Sequence, residues 1–173
     1  ICTLDETLEV LTLVQTGKSP LVPIVLLDEP GGTFWKDALD FMRRQLEGNR
    51  YILPTDMRLM RLVDNAEDAA AEIDHFYSNF HSSRWLQDRF VMRMNHVLND
   101  AAVSYMNEHF ADLCLNGRFE QQACCEMELD EPELQPLPRL SFVFNGRDHG
   151  RLRELTDFIN AREHWASPLG AED

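Results

Sequence analysis

The chain has 173 residues, 44% of them hydrophobic, so it can form one large domain or two small ones. Its net charge of −14, from 30 acidic and 16 basic residues, argues against nucleic-acid backbones and anionic membranes as partners, because binding to either needs basic patches. A small anionic ligand remains compatible, since local N–H groups and one or two arginines suffice to hold it. No apolar run has the length of a membrane span.

The four cysteines and six histidines show no pattern of a metal site or a disulfide framework. The cysteines are Cys2, Cys114, Cys124 and Cys125. None of them forms a Cys-x-x-Cys pair, and the adjacent two have poor geometry for bonding to each other. The histidines are scattered, without acidic or cysteine partners at ligand spacing. We therefore expect free thiols, no metal site and a cytoplasmic location.

The first predicted element is a helix that starts at Thr3 and stops at Gly17. Thr3 and Glu6 have the spacing of a capping box, in which two side chains pair with the first free N–H groups. Leu4 and Leu8 recur at helical spacing and predict an apolar face. The N-terminus of a helix also offers unpaired N–H groups, which is how helices bind phosphate. A capped surface helix with no ligand is the alternative interpretation.

An alternation of strands and helices follows. The apolar run over residues 21–27 predicts a buried strand of a parallel sheet. A helix is predicted from 34 to about 47, and a short parallel strand over 59–63. Asp64-Asn65 then has the character of a cap for a helix from 66 to about 80. This β-α-β-α order is typical of a doubly wound sheet.

The loop Pro30-Gly31-Gly32-Thr33 lies between a predicted strand and a predicted helix, the position of a phosphate loop. It lacks the lysine of a P-loop and the third glycine of a dinucleotide fingerprint. The pattern therefore favours a plain turn with Thr33 as the N-cap of the next helix. A ligand loop at this place would face the same carboxyl edge of the sheet as the Thr3 loop.

The second half begins after a polar breaker at His81-Ser82-Ser83. Its patterns predict a β-α-β-β-α order, with elements over 85–94, 98–115, 119–129, 140–144 and 150–162. We therefore predict a domain over 1–80, an α+β extension over 84–165 and a frayed tail over 166–173. Arginines of the second half are candidates for an anion site: Arg84, Arg89, Arg93, Arg139, Arg147, Arg151 and Arg153. Solvated surface arginines are the simpler interpretation.

The stretch from Thr3 to Lys18 resembles the helix after the phosphate loop in the LOG ("lonely guy") family, long labelled lysine decarboxylases. The family motif is Pro-Gly-Gly-x-Gly-Thr-x-x-Glu. Thr3 and Glu6 match its end, and Cys2 stands at its last glycine. The Pro-Gly-Gly would precede Ile1, so we expect the C-terminal portion of a longer member. The resemblance continues through residues 23–27, 34–35, 64–73, 137–140 and 151–155.

The resemblance implies an α/β fold: the C-terminal part of a Rossmann-like parallel sheet with flanking helices, followed by a small α+β extension. It implies cleavage of the N-glycosidic bond of nucleoside 5′-monophosphates, with no metal or other cofactor. Glu6 would be catalytic, and Cys2, Thr3 and Leu4 would bind the phosphate or the substrate. The family's catalytic arginine lies upstream of the motif, so we expect residues 1–173 alone to be inactive. The resemblance also implies a homodimer or a larger homo-oligomer.

Two other functions remain open at this stage. The chain could be a nucleotide-binding or regulatory module of the same fold without turnover, because Cys2 replaces a glycine whose backbone angles other residues seldom adopt. A cysteine at a helix N-terminus could also be a reactive thiol, although simple replacement of the glycine is favoured. Alternatively, residues 84–165 could be a cap that binds a partner and has no site of its own.

Overall fold

The computed structural model describes residues 2–128 and 130–167, without the side chains of Cys2 and Met127. The helices of this part are α1 Cys2–Gln15, α2 Phe34–Phe41, α3 Ala66–Phe76, α4 Asp100–His109 and α5 His149–Asn160. The strands are β1 Ile24–Leu27, β2 Met60–Val63, β3 Phe80–Leu86, β4 Arg89–Met94, β5 Cys114–Gln122 and β6 Arg139–Phe144. A π-helical segment, Met42–Glu47, continues α2. None of the described helices is long and apolar enough to cross a membrane.

Residues 1–76 and 146–154 form the first of two compact units. Its sheet consists of β1 and β2, which run parallel with Ile24 opposite Met60 and Leu27 opposite Val63. The crossover between them contains α2, as a parallel pair requires. The core of this unit includes the buried side chains of Val14, Leu26, Trp35, Leu39 and Leu59. The predicted parallel strand pair with an intervening helix is therefore confirmed.

Helix α1 buries less of its apolar face than its sequence predicts. Leu4 and Leu8 are 36% and 44% exposed, whereas Val14 near the other end is 1% exposed. The last turn of α1 is fixed by a hydrogen bond from Gln15 Nε2 to Asp56 Oδ2, at 2.6 Å. Packing within the described residues therefore holds the C-terminal end of α1 more firmly than its first turns.

Residues 77–145 and 155–173 form the second unit, which contains an antiparallel sheet in the order β3-β4-β6-β5. Phe90 lies opposite Phe142, and Cys114 lies opposite Phe144. Buried side chains of the sheet and of α4 build the core of this unit; they include Phe90, Met92, Met94, Met106, Leu140 and Phe142. The whole described chain is thus a mixed α/β structure with one parallel and one antiparallel sheet.

The prediction of a single strand over 85–94 is wrong. The chain forms the hairpin β3–β4, with Leu86 opposite Arg89 and a two-residue turn between them. The first turn residue, Gln87, has φ of 56°, a backbone conformation that non-glycine residues seldom adopt. Because glycine or asparagine usually occupies such a position in a hairpin, glutamine there does not indicate a turn. The polar residues His81-Ser82-Ser83 lie within β3 and do not break the chain. The order of this region is therefore β-β-α-β-β-α.

The predicted boundaries of the next two elements are also displaced. Asn99 caps α4, since its Oδ1 accepts the N–H of Ala102 at 2.8 Å, and α4 ends at His109 instead of near 115. Gly117 lies within β5 with φ of 71°. The register of β5 against β6 shifts between Asn116 and Glu120, so this glycine belongs to a β-bulge. The strand predicted over 119–129 accordingly begins earlier and ends at Gln122.

Candidate functional site

The four residues that the sequence predicts as the site lie together in the first turns of α1. Thr3, Leu4 and Glu6 are exposed, and the side chain of Cys2 is outside the described structure. Thr3 is a helical residue and its carbonyl oxygen accepts the Thr7 hydroxyl at 2.7 Å, so Thr3 is not the N-cap. The predicted capping box is therefore wrong in its position. The carboxylate of Glu6 remains open to solvent on the helix surface.

A second candidate is a cleft of about 370 Å³ at the carboxyl ends of β1 and β2. In open α/β sheets this edge is where ligands bind, because the connecting loops diverge there. The cleft is lined by Asp28, Gly31, Gly32, Lys36, Leu62, Val63, Asp64 and Asp68. Two of its carboxylates, on Asp28 and Asp64, come from the residues that directly follow the two strands.

Asp28 organises the loop between β1 and α2. Its Oδ2 accepts the N–H of Trp35 at 3.1 Å, and its Oδ1 accepts the N–H of Glu29 at 3.2 Å. A Cβ at Gly32 would lie 2.5 Å from Asp28 Oδ1, so the loop closes over this carboxylate only with glycine there. Thr33, the predicted N-cap, makes no side-chain capping bond. The N-terminus of α2 is therefore capped by Asp28, which supports a plain turn and disfavours phosphate at this loop.

Asn65 sets the other wall of the cleft by capping α3, as the sequence predicts. Its Oδ1 accepts the N–H of Asp68 at 2.8 Å, while its Nδ2 donates to the carboxylates of Asp64 at 3.0 Å and Asp68 at 2.8 Å. This single amide therefore orients both carboxylates that α3 and its preceding residue contribute to the cleft.

The electrostatics of the cleft favour ligand groups that donate hydrogen bonds. Its lining carries three carboxylates and one ammonium group, and Lys36 Nζ also pairs with Asp40 at 2.8 Å. Carboxylates accept hydrogen bonds from sugar hydroxyls and amino groups and repel phosphate. Sequence reasoning missed these aspartates as site residues. The available signal was their position directly after predicted strands.

The predicted residues do not form part of the cleft, since no residue from 2 to 6 lines it. Within residues 2–128 and 130–167, no group of three or more His, Cys, Asp or Glu side chains could hold a metal ion.

Comparison with known proteins relates the first part of the chain to one family. Residues 1–73 match the model of a family described as possible lysine decarboxylase, which includes LOG-like proteins. The match covers α1, β1, α2, β2 and most of α3. No curated protein and no solved structure matches the chain. The resemblance found in the sequence is thus supported for residues 1–73, which include Thr3, Glu6 and the three aspartates of the cleft.

Proposed function

We propose that this chain is part of a LOG-like nucleoside 5′-monophosphate phosphoribohydrolase, and that β1, β2 and their helices belong to a Rossmann-like domain. The family match over residues 1–73 carries the proposal. The exposed first turn of α1 and the parallel β-α-β unit support it, because together they offer an anion-binding helix end and a carboxyl-edge cleft. Assembly into a homodimer or larger homo-oligomer is part of the proposal.

The chemistry divides between the two features. Cleavage of an N-glycosidic bond develops positive charge on the ribosyl carbon, which a carboxylate stabilises directly or by activating water. Glu6 supplies that carboxylate in the proposed mechanism. The phosphate sits over the N–H groups at Cys2, Thr3 and Leu4, where the helix dipole favours negative charge. The aspartates of the cleft accept hydrogen bonds from hydroxyl or amino groups of the nucleoside.

The test compares Glu6→Gln with Glu9→Gln in the full-length protein, by measuring ribose 5-phosphate released from a panel of nucleoside monophosphates. Glutamine keeps the shape of Glu6 and removes its charge. Loss of a general base costs about 10²–10⁴-fold in kcat, so Glu6→Gln should lose activity to that extent and keep nucleotide binding. Glu9 is an exposed glutamate on the same helix, and its variant should keep wild-type kcat. Equal kcat in all three proteins would remove Glu6 from the mechanism.

A non-catalytic nucleotide-binding module is the second candidate, and the identity of residue 2 favours it. Cys2 occupies the place of the motif's last glycine, at which a side chain restricts the backbone. This alternative predicts that the full-length protein binds nucleoside monophosphates and releases no ribose 5-phosphate. Restoring the motif with Cys2→Gly should then tighten nucleotide binding, measured by calorimetry. If the protein is a hydrolase instead, it releases ribose 5-phosphate without the Cys2→Gly substitution.

A further inference from the structure

The sheet of the second unit carries arginines that are buried, contrary to the expectation of solvated side chains. Arg93 lies opposite Arg139 on neighbouring strands and opposite Ser82 on the other side. The side chains of Arg93 and Arg139 are 4% and 0% exposed, and Arg84 on the edge strand is 28% exposed. Like charges directly opposite each other destabilise a sheet unless acidic groups neutralise them. The neutralising groups come from the segment before β6.

Residues 130–135, here called the acidic strap, place two carboxylates on these arginines. Glu131 Oε2 accepts from Arg84 Nη1 at 2.7 Å and also from Arg93 Nη2. Asp130 Oδ1 accepts from Arg84 Nη1 at 3.1 Å. The strap therefore puts one carboxylate between two guanidinium groups of the sheet.

A third carboxylate, on Glu128, is bound differently. Glu128 is 1% exposed, and its two oxygens accept from Arg93 Nε and Arg139 Nε, each at 3.0 Å. Asp130 and Glu131 are 60% and 37% exposed. Glu128 is thus part of the core, whereas the two strap carboxylates are accessible to water, and departure of Glu131 would leave Arg93 Nη2 without this acceptor.

Strap residues form part of the lining of an open surface pocket of about 450 Å³. The cavity is lined by His81, Ser82, Ser83, Arg84, Arg93, Asp130, Glu131 and Leu134. Its walls combine two guanidinium groups, two serine hydroxyls and an imidazole, which can donate hydrogen bonds to an anion, with the carboxylates of Asp130 and Glu131, which now accept from the guanidinium groups. Glu131 Oε2 lies where a single acceptor can bind the guanidinium groups of both Arg84 and Arg93.

We propose that this cavity is a binding site for a phosphate group, in which Glu131 of the strap serves as an internal competitor. With the strap in place, Arg84, Arg93 and Arg139 are balanced by three carboxylates. When Asp130 and Glu131 leave, only Glu128 remains, and the site carries a net charge of two positive units. A phosphate monoester carries about −1.5 to −2 charges near pH 7 and restores the balance.

The internal carboxylate makes the site weak in the native state. A ligand that must first displace a bound group has an apparent affinity reduced by the fraction of molecules in which the site is open. This site lies in the second unit and does not depend on Glu6 or on the proposed hydrolase. The competitor arrangement predicts that neutralising Glu131 strengthens phosphate binding, whereas a purely structural ion pair predicts no gain.

The experiment titrates inorganic phosphate into wild type, Glu131→Gln, Glu133→Gln and Arg84→Gln at constant ionic strength, followed by calorimetry. We expect Glu131→Gln to bind about tenfold more tightly than wild type, since its competitor is gone. Glu133 is an exposed glutamate of the same strap, and its variant should match wild type. A protein that carries both Glu131→Gln and Arg84→Gln should lose the phosphate binding seen with Glu131→Gln alone. Phosphate held at α1 would be unaffected by any of these changes.

Equal affinity of wild type, Glu131→Gln and Glu133→Gln for phosphate would overturn the proposal, as would binding that survives Arg84→Gln. A second measurement covers the case in which Glu131→Gln does not fold. Hydrogen exchange of wild type should show faster exchange of the strap amides in saturating phosphate than in sodium chloride of equal ionic strength. Unchanged exchange would mean that phosphate does not displace the strap. Glycerol 1-phosphate in place of phosphate distinguishes a phosphomonoester ligand from the free anion.

Discussion

At the residue scale, buried polar atoms of the first unit are organised by single carboxylates. Asp56, 3% exposed, accepts from Gln15 Nε2 at 2.6 Å and from the N–H of Leu53 at 2.8 Å, both through Oδ2. It thereby links α1 to the segment before β2. Asp28 does the same for β1 and α2 by capping the helix. The two hydrogen bonds to Oδ2 offset part of the cost of burying the Asp56 carboxylate, whereas its Oδ1 is buried and accepts no hydrogen bond from the described residues.

Cys114 is predicted to be an unreactive thiol. Burial raises the pKa of Cys114 to about 11, and the carboxylate of Asp112 adds to the effect. Since the thiolate is the nucleophile, its fraction at about pH 8 falls roughly a hundredfold relative to an ordinary thiol. Alkylation of Cys114 by iodoacetamide, followed by peptide mass spectrometry, should be slowed to about that extent in the folded protein relative to the urea-unfolded protein.

The pH profile separates this electrostatic effect from simple shielding. If the raised pKa is the cause, the alkylation rate of folded Cys114 continues to rise up to about pH 10, where an unperturbed thiol is already ionised. A rate that levels off near pH 9 would contradict the prediction, even if the rate itself were slow.

Gly150 in α5 is predicted to tolerate no side chain. A Cβ there would lie 2.0 Å from the carbonyl oxygen of Thr55, a backbone atom that cannot rotate away. Gly150→Ala should therefore lower the free energy of unfolding by about 3 kcal/mol, at the upper end of overpacking costs. Gly31, with φ of 77° and no atom within 4 Å of its Cβ position, is the matched control. Gly31→Ala should cost about 1 kcal/mol, from backbone strain alone.

Urea titration of the two glycine variants measures both costs. Equal losses for Gly150→Ala and Gly31→Ala would mean that α5 shifts to make room for the methyl group. The close approach to Thr55 would then not be a constraint on residue 150.

At the scale of elements, the strap is held to the sheet by its two carboxylates and by hydrogen bonds from Arg139 Nη1 to the carbonyl oxygens of Leu134 and Gln135. The hydrogen bond from Arg93 lowers the pKa of Glu131 below its ordinary value of 4.5, and the hydrogen bond from Arg84 lowers the pKa of Asp130 below 3.8. A carboxylate with a lowered pKa in the folded state contributes stability above its unfolded pKa and loses it as the pH falls through the folded value. The strap should therefore be fully held above pH 4.5 and released in stronger acid.

Hydrogen exchange tests this release of the strap. After correction for the intrinsic rate, the amides of residues 130, 131 and 133–135 should exchange equally at about pH 7 and pH 5, and faster at about pH 3. The Glu131→Gln variant should show the fast exchange already at about pH 7, because the charge is absent. Protection that persists at about pH 3 would show that the pair of carboxylates is not needed, and that contacts such as the hydrogen bonds from Arg139 to the carbonyl oxygens of Leu134 and Gln135 hold the strap.

At the scale of the whole chain, a segment near the C-terminal end completes the first unit. Residues 146–154 group with residues 1–76, although some 70 residues separate them in sequence. The contacts include the ion pair of Arg153 with Glu72 and that of Arg58 with Glu154. The guanidinium group of Arg153 also lies 4.8 Å from the centre of the Phe76 ring. Residues 1–76 should therefore depend on α5 for their stability.

Truncation measures this dependence. A chain that ends after Asn145 loses these contacts, and the amides of β1 and β2 should exchange about a hundredfold faster or more. A chain that ends after Asn160 keeps α5 and should retain protection in both strands. If the shorter chain protected β1 and β2 as well as the longer one, residues 1–76 would be a self-sufficient folding unit.

The local elements of the first unit could be predicted from their own residues. The runs over 21–27 and 59–63 contain β1 and β2, and the helices predicted from 34 and 66 begin at Phe34 and Ala66. Hydrophobic periodicity and the Asn65 cap depend on residues only a few positions apart, so they can be read without knowing the fold. The family resemblance likewise rests on a contiguous stretch and agrees with the match over residues 1–73.

Which polar groups are buried, and what they contact, could not be predicted without the folded chain. Arg93 and Glu131 are 38 residues apart, and nothing in their local sequence indicates that they pair. The same holds for Asp28 as the cap of α2 and for the turn at Gln87, which has no glycine or asparagine to mark it. The physical reason is that burial and charge neutralisation are set by strand pairing and loop closure over long separations. The cleft of the first unit and the arginine cavity of the second therefore became visible only in the folded chain.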